Sequence, residues 1–272
     1  MAAERERRDA LHAAIAAALS ALLGDVATGL AALVNRAGRR GTVTPTGRAA
    51  ILTWLGDTIA RLFGASPAAA AAAYALPRTV PHLIAASTRA AVQVAAPGGG
   101  VPGAAEPVRA WRDPNGLVLS DRVWLAGEDA RSRLTAVLDA GLARGATPDE
   151  LAGELRRFVR PDVAGRTVRG DEAFSSARRL VTHEVNRAGG MAQIAAARGS
   201  GDLIAWTVAG RHAIADECDL RARGGPYAPG AVPPHPQHVG CRCLLSRVPG
   251  GGTAEAGGVD GAALIAALTG FE

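Results

Sequence analysis

Pro233–Ser246 reads PPHPQHVGCRCLLS, and the rest of the chain can be read outward from it. Two prolines and a His-Pro step lead into His238, then Cys241-Arg242-Cys243 and a short apolar run. Side chains alternate faces along an extended strand, so Cys241 and Cys243 are expected to point one way and Arg242 the other. Cys218, the remaining cysteine, lies upstream between Glu217 and Asp219. Cys218, His238, Cys241 and Cys243 therefore make a candidate set of soft metal ligands, with His235 in reserve. Zinc prefers such nitrogen and sulfur donors, and structural zinc is the cofactor this set suggests. The spacing departs from a zinc knuckle with two C-x-x-C arms, because position 221 is Arg221. A reduced core cluster, or a disulfide from Cys218 to one of the pair, are the rival readings.

Upstream, residues 172–199 are predicted to form one long helix. Arg179, His183 and Arg187 are spaced by four and share a face, with Thr182 and Asn186 on the neighbouring one. Glu184, three before Arg187, can pair with it. Gly189-Gly190 inside this helix costs about 1 kcal/mol per glycine relative to alanine, which points to close packing or a local bend. His183-Glu184 begins like the zinc-protease helix H-E-x-x-H, but Arg187 stands where the second histidine is needed. Leu203–Ala209 and Cys243–Val248 are predicted strands, separated by a loop over Arg211–Ala231.

Earlier still, Thr147-Pro148-Asp149-Glu150 carries a capping box opening a helix that ends before Pro161. Gly145 ends the helix before it, which Ser120-Asp121 caps. Pro97–Pro107 (PGGGVPGAAEP) is a linker by composition. Before it come helical patterns over residues 4–36, interrupted at Gly24, and over Ile51–Phe63, Pro67–Leu76 and Pro81–Ala95. The N-terminal region carries no chemical constellation and reads as a docking or assembly region. The fold class expected is α+β: a mostly helical N-terminal region, then a helical domain with a small antiparallel sheet near the C-terminus. The expected domains are residues 1–96, the linker 97–107, a domain over 108–248 and a flexible tail over 249–272 with a short helix at Ala262–Leu268.

The 272 residues are 48% hydrophobic but only 4% aromatic, and alanine carries much of that fraction. Alanine buries little area, so the core is thin per residue and long helices are favoured. All 30 basic residues are arginine and the net charge is +5, which suits phosphates or acidic protein faces. No uncharged apolar run of about 18 residues suggests a membrane span, and the charged N-terminus does not read as a secretory signal. Three cysteines do not make a secreted disulfide framework and fit a reducing, intracellular setting. Cys241 follows His238 by three residues but lacks an orienting carboxylate, so a cysteine nucleophile is weakly supported. There is no P-loop and no G-x-S-x-G. Arginines at 156, 157, 160, 166, 169, 178, 179, 187 and 198 leave nonspecific DNA contact open, without an aromatic stacking platform.

Four segments in order carry a resemblance: RRLVTHEVNRAGG (Arg178–Gly190), LIAWTVAG (Leu203–Gly210), DECDLR (Asp216–Arg221) and PPHPQHVGCRCLLS. Together, over about Leu117–Ser246, they resemble the phage Mu F-like minor head protein family, or phage head morphogenesis domain. The family pattern has a second cysteine near Arg221 and Pro-Asn where this chain has Val239-Gly240. The resemblance implies a virion protein without enzymatic activity, acting in head assembly inside the procapsid or near the portal and travelling with DNA at ejection. The partners implied are portal protein, major capsid or scaffold protein, with nonspecific DNA and no membrane. A polar network of Arg179, Thr182, Glu184, Asn186 and Arg187 is expected under the histidine–cysteine segment. A cysteine hydrolase or toxin-like transferase, and a DNA-binding scaffold, are the alternatives.

Overall fold

The computed structural model describes residues 2–39, 41–96, 109–159, 173–208, 216–237, 241 and 243–250. The linker, His238, Arg242 and the tail beyond Gly250, with the helix expected at Ala262–Leu268, lie outside the described residues. Among the described residues are eight α-helices: α1 (Ala2–Ala37), α2 (Pro45–Phe63), α3 (Pro67–Ala72), α4 (Val80–Ala95), α5 (Leu119–Ala143), α6 (Pro148–Val159), α7 (Ser175–Ser200) and α8 (Glu217–Gly224). Four short strands are β1 (Gly38–Arg39), β2 (Thr42–Val43), β3 (Leu203–Thr207) and β4 (Leu244–Val248). Two antiparallel pairs result, β1 with β2 and β3 with β4. The fold class is α+β, with the small β3–β4 sheet near the C-terminus.

Local signals explain several of these boundaries. Thr147 accepts from the Glu150 amide at 3.3 Å, while the Glu150 carboxylate accepts from the Thr147 amide at 2.9 Å. That reciprocal pair is the predicted capping box, and it holds the Glu150 carboxyl below its usual range. Gly145, at φ 73°, turns the chain out of α5.

One expectation fails. Helix α1 runs unbroken through Gly24, because Leu19, Leu22, Leu23, Val26 and Leu30 are all buried in one apolar row and packing outweighs one glycine. The segment Glu6–Ala37 is also long and apolar enough to cross a membrane by length and composition. Asp25 is the sole charge between Leu11 and Asn35, so a count requiring no charge at all passes over it. A buried core helix meets the same test, and this one's apolar row is inside the protein.

The chain divides into two compact units. The first comprises Met1–Ile15, Ile84–Leu119 and Arg179–Glu272; the second comprises Ala16–Leu83 and Ser120–Arg178. The second unit is built on aliphatic rows from α1, α2, α5 and α6, including Leu23, Ile51, Leu55, Leu134, Leu138 and Leu151. Phe63 stacks on Phe174 with ring centroids 5.9 Å apart. A Cβ on Gly127 would meet the Phe63 side chain at 2.7 Å, so this glycine admits the ring.

The first unit centres on β3, β4, α7 and α8. Strand β3 pairs with β4 in the register Leu203↔Val248 to Thr207↔Leu244. On its other side Ile204 exchanges two backbone hydrogen bonds with Tyr227, each 2.8 Å. The buried cluster beneath contains Ala197, Ile204, Trp206, Leu245 and all three cysteines.

Candidate metal centre

Cys218 reaches the core because a helix forms in a segment whose composition suggests a loop. Asp216 caps α8 by accepting from the amides of Cys218 (2.8 Å) and Asp219 (3.3 Å). Asp219 returns the bond by accepting from the Asp216 amide at 2.9 Å. This aspartate capping box was available in the sequence as D-x-x-D, and it places Cys218 in the first turn with its side chain buried. Cys241 and Cys243 enter from the segment leading into β4. Both side chains enter one buried cluster together with Leu245.

The three sulfurs lie within 4.8 Å of one another, and each cysteine is at most 2% exposed. No disulfide joins them in this structure. Cys218 Sγ and Cys241 Sγ are 3.8 Å apart. Zinc–thiolate bonds of about 2.3 Å at tetrahedral angles put sulfurs about 3.8 Å apart, so the donor set fits a zinc-sized soft cation. The thiols are also unequal. Burial, and then the neighbouring Cys241 charge, push Cys218 up to about 12. Hydrogen bonding from the Cys243 thiol first, and from the backbone at Cys243 and Gln237, pulls Cys241 down to about 5. Thiols must lose their protons to bind a divalent cation, so metal uptake at such a site is coupled to proton release. Three close cysteines that could hold a metal ion are therefore present.

His235 does not join them. Its Nε2 donates to the Cys243 carbonyl at 3.0 Å, and its ring packs edge-on to Trp206 at 5.1 Å. Its Nδ1 is buried with no hydrogen-bond partner among the described residues, and burial brings the ring down to about 4. The reserve role as a ligand is thus corrected: His235 braces a ligand's main chain. It fits because a Cβ on Gly190 would come within 2.5 Å of Nδ1; of the glycine pair, Gly190 shows the expected close packing and Gly189, with nothing nearer than 3.9 Å, does not.

The polar face of α7 lies beside this centre. Glu184 is fully buried and pairs with Arg187, itself 4% exposed, at 3.2 Å. His183 Nδ1 donates to Glu184 at 3.1 Å. Trp111 covers Arg187, with the guanidinium carbon 3.2 Å from the ring centroid. Asn186, also buried, donates through Nδ2 to the Cys241 carbonyl at 2.6 Å. Of the residues expected in the network, Glu184, Asn186 and Arg187 are buried, Thr182 is half-buried, and Arg179 is exposed instead. Counting four residues per turn placed Arg179 with Arg187, but at two turns' distance the rows have drifted toward solvent.

Two members were not foreseen. Arg8 Nη2 donates to the Leu245 carbonyl at 3.0 Å, and His12 Nε2 donates to Asn186 Oδ1 at 3.0 Å. Both come from α1, more than 170 residues away in sequence. The sequence shows only that Arg8 and His12 stand four apart on one helix and so share a face, which does not say what that face meets. No family model matches the chain, nor does any curated protein or solved structure.

Proposed function

We propose that this chain is a phage or prophage minor capsid protein of the head morphogenesis type. It acts without turnover in procapsid assembly at or near the portal, with a part in DNA packaging or ejection. Its place is the capsid interior or the portal region of the virion, reached through the host cytoplasm during assembly. The partners are portal protein, major capsid or scaffold protein, with nonspecific DNA as a further contact.

The observation that carries this reading is the bond from Asn186 to the Cys241 carbonyl. It joins the first and last of the four ordered motifs into one buried structure, which is what a holding module needs. The thiols are sequestered as well: Cys241 is 1% exposed, which speaks against a nucleophile reached by substrate. The finer reading of the thiol cluster is a structural zinc held by Cys218, Cys241 and Cys243, with His238 as the fourth ligand. Zinc would then contribute folding energy by joining α8 to the strand that follows the cysteines.

Co-expression with a portal protein encoded beside this chain tests the assembly reading. Co-purification and incorporation into procapsids are the expected results. Failure to associate, together with measurable turnover of an ester or nucleotide, would replace it with the enzyme alternatives. Loss of a gel shift as salt rises, without portal association, would favour the DNA-binding scaffold. Metal is checked by elemental analysis after purification without chelator. Less than about a tenth of an equivalent of zinc in a folded chain removes the metal reading.

A further inference from the structure

Three alternate carbonyls of the ligand segment are held from outside. Asn186 holds Cys241, His235 holds Cys243 and Arg8 holds Leu245, at 2.6, 3.0 and 3.0 Å. Cys241, Cys243 and Leu245 belong to one buried cluster, while their carbonyls are met by side chains from elsewhere in the chain. The main-chain positions of two sulfur donors therefore rest on side chains drawn from α7, the proline-rich loop and α1. Asn186 is itself oriented. His12 donates to its amide oxygen, which leaves the amide NH2 to face the Cys241 carbonyl. Arg8 and Asn186 are 6% and 4% exposed, so these bonds are shielded from competing water.

We propose that Arg8, His12 and Asn186 are positioning residues of the metal centre, so that metal binding and the seating of the N-terminal end of α1 are coupled. The inference rests on reading the three thiols as a metal site. Groups that orient a ligand from behind typically change metal affinity 10- to 100-fold when removed, to an order of magnitude (about tenfold at least). Coupling between two binding events is reciprocal, so bound zinc steadies residues 6–15 by as much as those residues strengthen zinc binding.

The test uses the full chain and zinc alone. Zinc is titrated against a chromogenic chelator for the natural chain and for Arg8→Leu, Arg8→Lys, Asn186→Leu and Asp9→Ala, the last an exposed control on the same helix. Arg8→Leu and Asn186→Leu are expected to raise the zinc Kd about 10-fold or more, Arg8→Lys to recover most of the loss, and Asp9→Ala to change nothing. Zinc is also expected to slow amide exchange across residues 6–15 in the natural chain and not in Arg8→Leu. A general stabilising role would move thermal unfolding equally with and without zinc and leave that difference at zero. The inference is overturned if the natural chain binds zinc while both leucine variants bind within about twofold of it. It is equally overturned if zinc leaves exchange in residues 6–15 unchanged, a measurement that needs no variant to fold. If the natural chain takes up no zinc, the metal reading itself falls and this inference falls with it.

Discussion

The two compact units are held together by different physics. The unit of Ala16–Leu83 and Ser120–Arg178 is built mainly on aliphatic rows, with Phe63 stacked on Phe174. The unit containing α8, β3 and β4 buries an ion pair, an amide and three thiols. Apolar packing is non-directional and degrades gradually, because a replacement of similar volume keeps most of the burial. A buried polar centre is directional, and removing one member strands its partner without water. The comparison teaches that one unit should tolerate conservative change and the other should not.

The largest effect is expected for Arg187→Ala, which leaves the buried Glu184 carboxyl without its guanidinium partner and removes the group stacked on Trp111. A loss of about 3–5 kcal/mol in denaturant unfolding is expected, as for other buried pairs broken on one side. An unchanged midpoint would break the comparison, since the polar centre would then not be structural. The aliphatic unit supplies the contrast. Leu134, fully buried, should lose about 2–5 kcal/mol as Leu134→Ala but less than about 1.5 kcal/mol as Leu134→Met. Arg187→Lys is just as conservative in charge, yet it should cost more than Leu134→Met, because lysine offers neither the planar fork nor the stacked face. Equal costs would erase the distinction.

The pH dependence sharpens it further. His235 titrates near 4 when folded, below the ordinary histidine value of about 6.5. Between those values the unfolded chain binds the extra proton and the folded chain does not. Stability contributed by the neutral ring is therefore complete above about 6.5 and is lost as pH falls toward 4. Denaturation at pH 7 and pH 5 should show a loss of a few kcal/mol at most, and His235→Gln should shrink that difference. A difference unaltered in His235→Gln would locate the sensitivity elsewhere. The smallest effect is at the α6 cap: Thr147→Ala should cost about 1 kcal/mol, read as a small shift in melting.

How much of this was legible in the sequence depended on distance along the chain. The capping box at Thr147 and Glu150, the stop at Gly145, the Glu184–Arg187 pair and the alternation of Cys241 with Cys243 all rest on neighbours within four residues. These were readable because local geometry fixes them. Helix α8 was missed although its signal was local, because glycine and proline around it dominated the reading of Arg211–Ala231 as loop. Arg8, His12 and Trp111 were missed for a different reason. Each acts on residues far away in sequence, and no spacing rule announces that an arginine in the second turn of a helix will meet a carbonyl 237 positions later. The exposed Arg179 shows the converse, since a periodic row read from one end says nothing of where the neighbouring elements stop.

The arrangement around β4 has a consequence for edge pairing. A strand at the rim of a small sheet normally presents bare main-chain acceptors to any extended peptide that drifts past. Here β3 occupies one flank, and on the other the Leu245 acceptor is taken by a guanidinium, with the acceptors of Cys243 and Cys241 just ahead of the strand taken by an imidazole and an amide. Those three acceptors are therefore not offered to a passing extended peptide, and the segment leading into the strand is blunted along that flank.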